Sequence, residues 1–202
     1  MLKELGLSFE HLPVNFHDGS TRRPEFLRIN PNGRVPVLET DAVTLFESMA
    51  INLYLARKFP GPLSPVSIEQ EALATQWSFW VVTEIEKPLL LASANAILFA
   101  PASRNAEEHA IACKKLERPL AVLEGQLSAR PYLLGETFTV ADLNVSVVMT
   151  LARLAQMDLS AWPAVDRWLT ECLERPAAAD WKSVSFSIPR PQTPLGVLAM
   201  FV

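Results

Sequence analysis

A chain of 202 residues and 22.4 kDa has room for one large domain or two small ones, and its 50% hydrophobic content supplies a sizeable core. The net charge of -4 and isoelectric point near 5.4 argue against a nucleic-acid or anionic-membrane partner, which would call for clustered Lys and Arg. Small molecules and other proteins remain as partners.

In chain order, "LSFEHLPV" predicts a strand, "RPEFLRI" a short helix, and "VPVLE" and "AVTLF" two further strands. Pro36 stands inside the first apolar run of "RVPVLETDAVTLFES", although proline cannot donate to a β-ladder and is confined to edges, strand starts and bulges. A special backbone site is the better reading, with a strand-initiating proline as the plainer one. After Ser48, Ile51, Tyr54, Leu55 and Phe59 recur at helical spacing until Pro60 stops them, and "PGPLSP" forms a rigid link.

The pattern beyond is helical. Ser67 and Gln70 are spaced as a capping box ahead of Leu73, Trp77, Trp80 and Val81. "PLLLASANAILFAPA" is shorter than the roughly 20 residues of a membrane span and reads as a buried helix. Three more stripes follow: Leu116, Leu120, Leu123 and Leu127; Leu143, Val147, Leu151 and Leu154; and Val165, Trp168, Leu169 and Cys172. The tail "FSIPRPQTPLGVLAMFV" is either docked across the helices or a mobile extension. These boundaries predict an α/β unit over residues 1–62 and an all-helical unit over 63–202.

Cys113 and Cys172 form no C-x-x-C or Cys/His cluster, which fits a reducing cytoplasm, and no metal site is predicted. No signal peptide and no glycine-rich phosphate loop are visible. His11, His17 and His109 have no partner at metal or triad spacing and are assigned no role. In "FTVADL", Thr139 and Asp142 are spaced as a capping box, so Asp142 is a structural acid, and Phe138 can staple onto Leu143.

The segments "PEFLRINPNGRVPVLE", "LFESMAINLYLARKF", "YLLGETFTVADL" and "WPAVDRWLTECLERPA" together resemble the glutathione transferase family. The resemblance covers nearly the whole chain. It implies a thioredoxin-like N-terminal domain, an all-helical C-terminal domain, and glutathione as co-substrate without a permanently bound cofactor. It also implies a cis bond before Pro36, which would turn the Val35 main chain outward to pair with the cysteinyl part of glutathione. Ser48 and its N–H would bind the γ-glutamyl carboxylate at a helix N-terminus, and Glu47 the adjacent ammonium. The plainer reading of Ser48 is a helix cap. Arg34 would reach the glycyl carboxylate. Trp77, Phe79 and Trp80 can be read as lining a pocket for an apolar electrophile, since the helix that carries them borders the second-substrate site in relatives, although most of them are expected in the core.

The family's sulfur-contacting serine, tyrosine or cysteine lies in a first strand and helix that precede the strand matched by "LSFEHLPV". Only "MLKELGL", resembling the last turn or two of that helix, stands before it. The expectation is therefore a protein that begins upstream of Met1, its catalytic residue in that segment, and two unpaired sheet edges without it. The preferred function is conjugation of the glutathione thiolate to a small apolar electrophile by a cytoplasmic homodimer. A non-catalytic binding module and a glutathione-dependent disulfide reductase are the alternatives.

Overall fold

Elements and core

The computed structural model describes residues 1–14 and 18–183. His17 and the tail from Phe186 lie outside the described residues. At the N-terminus, Gly6 N–H donates to the Lys3 carbonyl at 3.2 Å and Leu7 N–H to the Leu2 carbonyl at 3.1 Å, with Gly6 at φ 62°. That pairing is the usual way a helical turn stops on glycine. Glu4 in this turn accepts two hydrogen bonds from Arg175, both 2.7 Å, and the guanidinium lies 3.9 Å from the Phe138 ring centroid.

Residues 7–14 form no strand, contrary to the sequence reading. A strand exists by pairing, and among the described residues the sheet holds only β1 (Val37–Glu39) and β2 (Thr44–Phe46), joined antiparallel with Leu38 opposite Leu45. Thr40 closes the hairpin by accepting from the N–H groups of Ala42 and Val43 through its hydroxyl. Between those segments, α1 (Pro24–Ile29) opens on a proline, which suits a first turn whose N–H has no partner in any case.

Helix α2 (Ser48–Lys58) follows β2 and buries Ile51, Leu55 and Ala56. Next come α3 (Ile68–Trp80), a widened stretch over Val81–Glu86, α4 (Lys87–Ser93) and a second widened stretch over Ala94–Leu98. Ser67 caps α3 by accepting from Gln70 N–H, while the Gln70 side chain reaches back to Val66 N–H rather than to Ser67. Helix α5 (Ala106–Ser128) is capped by Asn105, and the Glu124 carboxylate accepts from the Ala164 and Val165 N–H groups at the start of α7 (Pro163–Leu173). Helix α6 (Val140–Leu154) packs against α2, α3, α4 and α7. Among the described residues, no helix is long and apolar enough to cross a membrane.

Two predicted stripes are corrected. Leu73 and Val147 face outward, the latter 60% exposed. On α3 the buried positions are Ala74, Trp77 and Ser78, continuing to Val81, one residue out of register with Leu73. Helix α6 is buried on most sides, so its core face includes Val145, Val148, Met149 and Ala152 and leaves Val147 as its outer edge. The stripes on α5 and α7 are buried as predicted.

Buried polar groups link the two halves. The Asn52 amide on α2 donates to the Asn144 side-chain oxygen on α6 at 2.7 Å, and Asn144 donates to the Ser78 hydroxyl on α3 at 2.8 Å. Asn144 is fully buried, so this chain of hydrogen bonds fixes α2, and with it the start of α2, against the helical half.

Candidate functional site

A cavity between the two halves

The α1–β1 connection is held from within. Asn30 is buried, donates from its amide to the Arg34 carbonyl at 2.7 Å, and accepts from Asn32 N–H at 3.0 Å. Gly33 sits at φ 62°, and a Cβ there would come within 2.8 Å of the Thr21 carbonyl. Only glycine fits both conditions. The chain then enters a cis Val35–Pro36 bond, and β1 begins at Val37, so Pro36 stays outside the ladder.

The five residues predicted to bind a ligand, Arg34, Val35, Pro36, Glu47 and Ser48, line one cavity of about 270 Å³. Asn30, Glu86, Lys87 and Leu90 complete it, the last three from the helical half. Those contributors were missed because they lie far along the chain. Asn30 had a local signal, the turn-forming run "NPNG".

Glu47 is the residue before α2 and carries φ 72° and ψ 112°, an uncommon backbone setting for a side chain with a Cβ. No side chain caps this helix. Ser48 is therefore the first helical residue, not a cap, and the first N–H groups of α2 have no partner within the helix. With the positive end of the helix dipole, they form an anion-attracting corner. The exposed side chains of Arg34 and Lys87 add positive charge, while Glu47 and Glu86 add negative charge. Glu86 is half-buried, and its carboxyl is pushed above the ordinary range first by burial and then by the Glu47 charge, against a smaller opposing effect of Lys87. The arrangement suits a small zwitterion.

A larger groove of about 760 Å³ runs along the C-terminal half of α2 and contains none of these residues. Its charges already have partners: Arg57 pairs with Glu71, and Lys58 donates to the Tyr54 hydroxyl at 2.9 Å.

Thr139 and Asp142 lie in the core at the start of α6. Thr139 N–H donates to Asp142 at 2.9 Å, the Thr139 hydroxyl caps α6, and Asp142 also accepts from Leu133 N–H at 2.8 Å and Trp168 Nε1 at 3.0 Å. Burial raises the Asp142 pKa, and these donors hold it back. His109 makes only contacts within the helical half: Nδ1–H donates to the Ala92 carbonyl at 3.0 Å, and Nε2 meets Cys113 Sγ at 3.5 Å. Burial pushes the thiols of Cys113 and Cys172 upward. Trp77 is buried and stacks edge-on with half-buried Trp80, whereas Phe79 is 67% exposed, so of the three only Phe79 lies outside the core.

Relation to known proteins

Residues 1–57 match the family description "Glutathione S-transferase, N-terminal domain", and residues 86–176 match "Glutathione S-transferase, C-terminal domain". Glutathione S-transferase 4 of Zea mays is 32% identical over 200 residues, covering 95% of this chain and 89% of the maize protein. The chain belongs to the glutathione S-transferase family.

The solved structure of glutathione S-transferase-I bound with lactoylglutathione superposes with a TM-score of 0.80 at 29% identity, covering 90% of each chain. Elongation factor 1-gamma 2 of Oryza sativa subsp. japonica is 35% identical over 170 residues, 82% of this chain but 40% of that protein. The fold is that of the family, a thioredoxin-like α/β unit followed by an all-helical domain.

Proposed function

We propose that this chain is a glutathione transferase, in which bound glutathione ionises and its thiolate attacks a small apolar electrophile. The observation that carries the reading is the convergence of Arg34, Val35, Pro36, Glu47 and Ser48 on one cavity between the two halves. The open start of α2 supports a carboxylate at Ser48, and Glu47 beside it supports the neighbouring ammonium. Arg34, which lines the same cavity, takes the glycyl carboxylate, and the Val35 main chain pairs with the cysteinyl residue. Glutathione is then a co-substrate held across its length, leaving its sulfur to react. A free thiol ionises near pH 8.5, so conjugation at neutral pH requires a donor hydrogen bond or a positive dipole end at that sulfur.

The boundaries 1–62 and 63–202, a homodimeric assembly and a cytoplasmic location belong to the same proposal. The reading is tested by following conjugation of glutathione to an aryl chloride, alongside calorimetric binding of glutathione. Saturable conjugation supports the transferase. Binding without conjugation favours the second reading, a non-catalytic glutathione-binding module, for which the similarity to an elongation factor speaks. Neither binding nor conjugation would overturn both. Disulfide reduction draws no support from the chain's own thiols, which burial holds protonated.

A further inference from the structure

We propose that Glu86 is a second carboxylate for the γ-glutamyl ammonium of glutathione, supplied by the helical half of the same chain opposite Glu47. The inference rests on the glutathione reading above and adds to it a specificity-determining residue.

Three observations carry it. Glu86 and Glu47 line the same cavity although they belong to different halves, Glu47 before α2 and Glu86 at the end of the widened stretch between α3 and α4. Glu86 also sits on a rigid support, because its neighbour Ile85 and, one turn on, Leu89 are fully buried in the helical core. Two carboxylates brought together in a partly enclosed space repel, and the Glu47 charge acts on Glu86 in that sense. Lys87 offsets the repulsion only in part.

A compact cation between the two would remove it. The α-amino acid end of glutathione offers such a cation one carbon away from a carboxylate, and here an acid pair stands beside an uncapped helix start. Glu86 would thereby distinguish a ligand with a free α-ammonium from one without it, and the ligand would tie the two halves of the cavity together.

The decisive experiment compares calorimetric binding of glutathione and of N-glutaryl-cysteinyl-glycine, the same tripeptide lacking the ammonium, to the full chain and to Glu86→Gln. The unmodified chain is expected to prefer glutathione. Glu86→Gln is expected to weaken glutathione binding about five- to tenfold, as for one partly solvated charge-assisted contact, and to leave the analogue's affinity unchanged. Glu47→Gln should give the same ligand-selective pattern. An equal loss for both ligands, or no loss for glutathione, would overturn the role of Glu86. Absence of binding of either ligand to the unmodified chain would instead overturn the glutathione reading beneath it.

Discussion

Two helices of this chain begin beside a carboxylate, and they use it in opposite ways. At α6, Asp142 is buried and accepts from Leu133, Thr139 and Trp168, so the helix start is closed by the protein itself. At α2, Glu47 and Ser48 are exposed, Glu47 holds an uncommon φ of 72°, and no side chain caps the turn. A saturated start stabilises the fold, whereas an open one leaves donors and charge for a ligand. The same residue types thus serve packing in one place and recognition in the other, and the difference lies in what surrounds them.

The sharpest way to break the comparison is Asp142→Ala. It would strand two backbone N–H groups and the Trp168 indole N–H in the core, at a cost of about 3–5 kcal/mol. Thermal unfolding should fall by roughly 10 °C or more. Asp142→Asn offers a pH test. Burial raises the folded pKa above the unfolded value, so the folded state holds its proton longer and this group's contribution to stability declines as pH rises above about 4. The Asn variant should lack that slope in a series of melting curves.

A smaller effect is expected where the two halves are joined. Asn144→Ala removes the link between Asn52 and Ser78 and should cost about 2 kcal/mol, read by urea unfolding. Because Asn52 lies one turn beyond Ser48, glutathione affinity should drop with it. Gly33→Ala follows. Its Cβ would crowd the Thr21 carbonyl at a positive φ, which should cost about 1–2 kcal/mol and shift the turn that carries Arg34. Melting curves and glutathione titration check both parts.

Where a feature depends on near neighbours in sequence, it was legible. Pro36 stood out because it violated a strand, and the Thr139–Asp142 spacing announced its box. Residues 7–14 show the opposite case: alternation suggested a strand, but a strand needs a partner that no local pattern supplies. Val147 was misplaced because α6 is surrounded by other helices, which leaves no clean apolar stripe to read. Glu86 was silent for a third reason. Its place beside Glu47 is created only when the helical half packs against the first, and a glutamate on a helix otherwise looks like solvated surface.

The last test separates the two helix starts directly. If the start of α2 is open for a ligand, Ser48→Ala should lower glutathione affinity about tenfold, the effect of one lost charge-assisted hydrogen bond. Its melting temperature should barely move, because Ser48 is the first helical residue and makes no capping bond. Were Ser48 a cap after all, the same substitution would cost about 1 kcal/mol of stability and leave binding intact. Thr139→Ala supplies the mirror image. There the hydroxyl does cap α6 in the buried core, so stability should fall while glutathione affinity stays where it was. Crossed outcomes, with binding lost only at Ser48 and stability lost only at Thr139, would show that helix starts in this chain are divided by what is left unpaired.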